Sequence, residues 1–415
     1  MPLQIPSVSC GEQARPAAAH GARLLAVAWL TLFVIGTDLF VPSPLLPAIS
    51  AQFGVDVATA GWIVSAFSLA YMIGAPLMGH IADRWDRRRM VIAGLAVFAA
   101  ANALSAAASG FAMLVAVRVV AGLAACAVTP SIYAMVGSLA PADGRASWLA
   151  ITVSGLLCAL SAGTPLAALV AAAHGWRVVF AALGCLSLAV ALPNWLVWPA
   201  MREPGPVSAR GARSPALARR LLLTVMWATA LYGVYTYLGA GLVAAGADAA
   251  TVAQVVVCYG LGALAGTFAG GRLADRLGSR VAVTISLSGL AVSLFALSLM
   301  MSRGLLPAAV SAPAFGFVSA LAQLFFPAQQ AALARDFPER RAAALAWNNS
   351  ALFLGISLGA ALGGAILDRA GYAAVLGAGA VIGLGGALLV PVLAGRRVSE
   401  RTVIEPSQDR SMKIS

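Results

Sequence analysis

Two residues carry charge inside long apolar stretches where few other groups can titrate. Asp38 sits in Gly36-Thr37-Asp38-Leu39-Phe40-Val41-Pro42, and Arg118 in Val115-Ala116-Val117-Arg118-Val119-Val120. At the centre of a membrane-inserted helix such a residue costs roughly 2.5–3.5 kcal/mol, so it is expected to line a cavity and to have a function. The chemistry on offer is reversible protonation. Burial raises the pKa of a carboxyl and a nearby cation lowers it. A carboxylate subject to both effects can change its proton occupancy when solvent access or a bound substrate tips the balance. Asp38 and Arg118 are therefore the candidate proton-coupling pair; a purely structural tie between their two helices is the alternative. Pro42, one turn beyond Asp38, is expected to loosen that helix.

A second set is polar or aromatic without charge. Tyr232, Tyr235 and Thr236 share a face by their i, i+3, i+4 spacing, and so do Phe67 and Tyr71. Gln323, Gln329, Gln330, Asn348 and Asn349 fall in or near apolar stretches. Amides are costly in lipid, so these should face the interior, as substrate contacts or as bonds between helices. Phe67, Tyr71, Tyr232, Tyr235, Gln323 and Asn349 are the candidate substrate contacts. Enzymatic chemistry finds little support. His20, His80 and His174 form no metal-ligand spacing with Asp, Glu or Cys. The five cysteines, Cys10, Cys126, Cys158, Cys185 and Cys258, include no CxxC pair and read as small apolar residues. There is no Gly-rich phosphate loop with lysine. No enzyme, cofactor or metal is expected.

The elements that position these residues follow from composition. Of 415 residues 61% are hydrophobic and 10% charged, where a soluble domain carries about a quarter charged. A window of about 20 residues, the thickness of the hydrocarbon, finds twelve spans. They lie near 24–46, 59–79, 90–109, 112–138, 147–170, 177–199, 220–244, 252–271, 281–301, 305–332, 342–367 and 372–394. The runs are too long and too little alternating for strands, and a backbone in lipid must satisfy its own hydrogen bonds, so the spans are helices. The fold class is an all-α integral membrane protein. The expected divisions are an N-terminal tail 1–22, a six-helix bundle 23–199, a Pro-, Gly- and Arg-rich linker 200–219, a second bundle 220–395 and a tail 396–415. Residues 1–22 include Glu12 and Arg15 and lack the apolar core of a signal peptide.

The net charge of +12 would suggest nucleic acid in a soluble protein, but its distribution excludes that partner. Of 27 Lys and Arg, all but Arg118, Arg177, Arg303 and Arg369 fall at the termini or in alternate loops. By the positive-inside rule both termini are cytoplasmic, in what is expected to be a bacterial inner membrane.

The halves repeat. Gly79-x-x-x-Asp83-Arg84 recurs as Gly271-x-x-x-Asp275-Arg276 at an offset of 192. Asp143 and Arg145 match Glu339 and Arg341, Gly163 matches Gly359, and Gly175-Trp176 matches Gly371-Tyr372, all at 196. Six spans separate the copies, so the halves share one orientation, an arrangement that suits a carrier with a central site. No Asp, Glu, Lys or Arg stands at the positions equivalent to Asp38 and Arg118. The second half thus reads as free of membrane-embedded charge, which favours a neutral or amphiphilic substrate.

These residues resemble the major facilitator superfamily over nearly the whole chain. Gly79-x-x-x-Asp83-Arg84 and its copy match that family's loop signature, with Asp86 standing where the family usually has Gly. Arg118 with Gly122 resembles its membrane-embedded arginine motif. Gly163-Thr164-Pro165-Leu166, Gly175-Trp176-Arg177 and Asn348-Asn349-Ser350 resemble spans 5, 6 and 11 of drug:proton antiporters and of sugar and nucleoside efflux permeases. The resemblance implies a major facilitator fold. It also implies an inner gate at Gly79, Asp83, Arg84, Arg88, Gly271, Asp275 and Arg276, where the two glycines are expected to admit close helix approach. The function expected is proton-coupled efflux of a small neutral or amphiphilic organic molecule by alternating access. A proton symporter importing a nutrient is the main alternative; a passive facilitator or a transporter-like sensor is less favoured. The expected partners are the substrate, protons and the lipid bilayer, with a monomer as the working unit.

Overall fold

The computed structural model describes residues 14–82, 85–141, 144–201 and 214–395. Within them eleven helical stretches are long and apolar enough to cross a membrane. The last, Ala343–Leu393, is broken at Gly371, whose φ of 76° no L side chain adopts comfortably. Twelve spans result. Spans 1 to 6 are α1 (Ala14–Phe40) with α2 (Pro42–Phe53), α3 (Val57–Ala60) with α4 (Trp62–Ala82), α5 (Arg87–Ala106), α6 (Phe111–Leu139), α7 (Arg145–Cys158) with α8 (Thr164–His174), and α9 (Trp176–Val197). Spans 7 to 10 are α10 (Pro215–Thr236) with α11 (Leu238–Ala244), α12 (Ala249–Leu277), α13 (Ser279–Ser302), and α14 (Ala308–Gln323) with α15 (Phe325–Asp336). Both remaining spans belong to α16 (Arg341–Gly395).

Each half packs on itself in the same order. In the first, α1 lies on α7, α4 on α6, and α5 on α9; in the second, α10 lies on α16, α12 on α14, and α13 on α16. The repeat extends to single contacts. A Cβ on Gly163 would run into Thr37 and Phe33, and one on Gly359 into Gly233 and Thr229; all four positions keep the 196-residue offset. Gly175 (φ 87°) and Gly371 (φ 76°) make the same turn between spans 5 and 6 and between spans 11 and 12. Spans 2 and 8 both start on an aspartate N-cap: Asp56 accepts from Thr59 N at 2.6 Å and Asp248 from Thr251 N at 2.8 Å. These hydrogen bonds hold both carboxyls below their usual pKa of 3.8.

One face of the molecule, here the basic face, carries the loops with Arg87–Arg89, Arg145, Arg280 and Arg341. The opposite face is here the far face. The halves meet along α4 and the first part of α16, along α12 and the middle of span 5, and between α2 and α11. The last contact closes the far face. Spans 1 and 7 are both interrupted, at Val41 and at Tyr237, again 196 apart. The two interruptions face each other. Ser43 Oγ donates to Tyr235 O at 2.5 Å, Tyr235 OH donates to Phe40 O at 3.1 Å, and a Cβ on Gly239 would press on the backbone of Ser43 and Pro44. Tyr237, fully buried, fills a socket between Gly61 of span 2 and Gly364 of span 11 that a side chain at either glycine would occupy.

Candidate functional site

Asp38 is brought to Arg118 by close helix contacts. Gly36 lets span 1 press on Ala159 and Leu156, and Gly122, one turn from Arg118, lets span 4 press on the backbone of Phe67. The Arg118 guanidinium then grips Asp38 with both nitrogens, Nη1 to Oδ1 at 2.8 Å and Nη2 to Oδ2 at 2.9 Å. Nη2 also reaches Asp38 O at 3.3 Å. Rings cover the cation: its centre lies 4.7 Å from the Phe67 ring and 5.4 Å from that of Phe180. The side chains are 1% and 0% exposed. The sequence placed this pair on a cavity wall. The structure instead seals it inside the first half, among spans 1, 2, 4 and 6, because small residues draw those helices tightly around it.

A narrow pocket lies between the halves beneath the far-face closure. Phe40 and Ser43 of span 1, Val64 of span 2, Tyr232 and Tyr235 of span 7 and Ile356 of span 11 line it. Phe40 stacks on Tyr232 at 6.3 Å and meets Tyr235 edge-on at 5.9 Å. The Tyr232 hydroxyl pairs with Gln323, and Trp227 presents its edge to the Tyr232 ring at 6.1 Å. Three of the candidate substrate contacts, Tyr232, Tyr235 and Gln323, thus converge. Tyr71 and Asn349 meet elsewhere on the seam between halves: Asn349 Nδ2 donates to Tyr71 OH at 3.3 Å, and the Tyr71 ring stacks on Phe353 at 3.6 Å. Phe67 belongs to the ion pair and does not line the cavity. Phe40 and Phe353 were missed by the sequence reading; each pairs across the seam with a tyrosine that reading had selected.

At the basic face, Asp83 and Arg84 lie outside the described residues, and Gly79 is on the last turn of α4. Arg88 spans to the end of α9, donating to Trp198 O at 3.2 Å and lying 3.8 Å above the Trp195 ring. Asp86 caps α5 through Arg88 N at 3.3 Å and also holds Met201 N at 2.8 Å. Its counterpart in the second half is Gly278, with φ of 85°, whereas Asp86 takes −63°. The departure from glycine therefore exchanges a left-handed turn for a side-chain cap. Asp275 and Arg276 are exposed on the last turn of α12. The close approach expected at Gly271 falls one residue earlier: a Cβ on Gly271 meets nothing, while one on Gly270 runs into the backbone of Leu324.

The second half was read as lacking embedded charge. Arg220 Nη2 and Asp336 Oδ2 form an ion pair at 2.7 Å, with side chains 7% and 4% exposed. Arg335 Nε lies 4.0 Å from Asp336 Oδ1, and neutral groups pack nearby: Gln329 Nε2 donates to Arg220 O at 2.8 Å, and Thr224 Oγ1 to Asn348 Oδ1 at 2.6 Å. The signal was a carboxylate just past the apolar run of span 10, on a helix that continues for a further turn.

Two parallel six-span halves around a seam cavity, with a buried ion pair beside it, define a membrane transporter. Comparison with known proteins agrees: the Major Facilitator Superfamily model matches residues 28–244 and 242–414. The chain belongs to that superfamily, whose members are transporters and not enzymes. It is similar to the chloramphenicol resistance protein of Streptomyces lividans, 34% identical over 267 residues, covering 62% of this chain and 67% of the relative. It is also similar to the inner membrane transport protein YdhP of Escherichia coli (strain K12), 31% identical over 397 residues, covering 92% and 98%. Among solved structures it is similar to a bacterial homolog of the human lysosomal transporter Spinster in an inward-facing, unoccupied conformation. The TM-score is 0.68 at 17% identity, covering 91% of this chain and 96% of that one.

Proposed function

We propose that this transporter exports a small neutral or amphiphilic organic molecule in exchange for protons, with Asp38 as the proton carrier and Arg118 as its counter-ion. The observation that carries this reading is the bidentate, fully buried Asp38–Arg118 pair. Breaking a buried pair on one side costs about 3–5 kcal/mol, because it leaves a charge without a partner. Protonating Asp38 in this sealed state would leave Arg118 without a counter-charge, with the faces of Phe67 and Phe180 and the Asp38 carbonyl beside it. The proton is therefore taken up in a conformation where water reaches Arg118, and its presence biases the halves toward that conformation. A membrane potential of about 150 mV supplies roughly 3.4 kcal/mol per proton, a few hundredfold in substrate gradient, so one carboxylate suffices.

In this reading the basic face is cytoplasmic, in a bacterial inner membrane. The bundles 23–199 and 220–395 rock as two bodies in a single working chain. Substrate occupies the cavity at Phe40, Tyr232 and Tyr235, where rings and neutral hydroxyls suit an uncharged molecule with some polar groups. The relative named for chloramphenicol resistance makes chloramphenicol the first compound to test. The experiment is transport in everted membrane vesicles across a panel of drugs, nucleosides and sugars. Exchange of protons for substrate on its addition supports export by antiport. Accumulation that no proton gradient affects overturns the coupling.

A further inference from the structure

The repeat breaks at one place on the lipid-facing surface. In the first half the Phe33 ring lies over Gly163 and stacks on Trp29 at 5.3 Å. The positions 196 residues on are Thr229 and Val225. With the two rings gone, a shallow groove is left between spans 11 and 12, with span 7 as its floor. Thr229 and Gly233 form the floor; Gly359 and Leu362 stand on one wall and Gly379 and Ile382 on the other. It does not face the other half. Leu362 at its mouth is 49% exposed, and Val381 beside Ile382 is 71% exposed, which marks the surface that meets hydrocarbon.

The groove runs from mid-membrane at Thr229 toward the far face. On span 11 its lining residues Leu362 and Ile366 are followed by Arg369 at helical spacing, i, i+4, i+7, on one stripe. Arg369 is exposed, and its only hydrogen bond among the described residues is a long one, 3.5 Å to Ala365 O. Its neighbour Asp368, also exposed, is turned about 100° around the helix. The first half differs here too. Arg177, on the same far face, is held by Ala106 O at 2.6 Å and Ala108 O at 2.7 Å, so its guanidinium is already engaged.

We propose that this groove is a binding site for a phospholipid of the far leaflet, with one acyl chain along spans 11 and 12 over Thr229 and the headgroup phosphate on Arg369. The bilayer is continuous with the mouth of the groove, hydrocarbon matches its lining, and the cation stands one turn beyond it at headgroup level. Membrane burial, and not the transport cycle, is what the proposal requires, so it stands or falls apart from proton coupling.

The test uses the full chain in liposomes containing phosphatidylglycerol with a photoactivatable group on one acyl chain. After irradiation, adducts are mapped by mass spectrometry of peptides. The expected result is labelling concentrated in 359–382, well above the matching surface 163–186. Thr229→Phe, which restores the ring of the first half, should reduce it to that background. Arg369→Gln, an exposed change that does not disturb packing, should also lower it and should abolish any preference for phosphatidylglycerol over a lipid without phosphate. Equal labelling of the two surfaces, or labelling of 359–382 unchanged in both variants, overturns the proposal. So does a crosslink at 359–382 to a second copy of the chain in place of lipid.

Discussion

In the first half the buried ion pair, Asp38–Arg118, lies toward the far side of spans 1 and 4, with side chains 0% and 1% exposed. In the second, Arg220–Asp336 lies at the basic ends of spans 7 and 10, with side chains 7% and 4% exposed and the exposed Arg335 4.0 Å from Asp336. The same scaffold thus carries two charge pairs at different depths. The second pair has an exposed cation beside it that can take over Asp336, whereas Arg118 is covered by rings and has no second carboxylate among the described ion pairs. In the proposed mechanism the deep pair carries coupling and the shallow one stabilises the fold.

The largest expected effect breaks that assignment directly. Asp38→Ala should destabilise the protein by about 3–5 kcal/mol in thermal unfolding, since Arg118 is left buried alone. Replacing both, Asp38→Leu with Arg118→Met, should recover most of that loss yet leave no uphill transport. Arg220→Met should cost less stability than Asp38→Ala and leave the proton dependence of transport intact. If Arg220→Met alone removed proton dependence, the roles of the two pairs would be reversed.

The matched glycines sharpen the comparison next. An added Cβ at Gly359 meets backbone of Gly233 and Thr229 at 2.7 Å, whereas at Gly163 the nearest obstacle is the end of the Thr37 side chain. Overpacking costs typically about 1–3 kcal/mol. Gly359→Ala should fall in that range and Gly163→Ala below it, because a side chain can turn aside and a backbone cannot. Equal losses would mean that span 1 cannot adjust around Thr37.

Asp86→Gly converts the first half to the second half's turn. Replacing the α5 cap by glycine should cost only a few tenths of a kcal/mol, and losing the bond to Met201 N about 1 kcal/mol more, read from the same unfolding curves. The smallest effect concerns the two exposed caps. Hydrogen bonds hold the carboxyls of Asp56 and Asp248 below their usual 3.8. Their contribution is therefore present above pH 3.8 and is lost as pH falls through the lower, folded values. A double Asp56→Asn, Asp248→Asn variant keeps a cap that does not titrate, so between pH 5 and pH 3 it should lose less stability than the unchanged protein.

Much of the scaffold was legible because membrane helices write their length and loop charge into the sequence, and because duplication preserved Gly163 with Gly359 and Gly175 with Gly371. Asp38 and Arg118 were visible as ionisable groups inside apolar runs, and Pro42 announced the interruption of span 1. Its partner at Tyr237 has no proline to mark it. Asp336 was hidden because hydropathy ends at residue 332 while the helix does not, and Arg220 because it falls where a span begins. The sequence alone could not choose between Gly270 and Gly271, since which glycine faces span 10 depends on the rotation of α12. It also could not show that Phe67 covers Arg118 while Phe40 reaches the cavity, as both read as aromatic positions on helical faces.

Asp38→Asn measures the central claim most directly, because it keeps hydrogen bonding to Arg118 while removing the titratable proton. In vesicles loaded with a substrate that the unchanged protein exports, the account predicts no uphill movement at any proton gradient, with exchange of labelled for unlabelled substrate retained. Uphill export by Asp38→Asn with the pH dependence of the unchanged protein would contradict it.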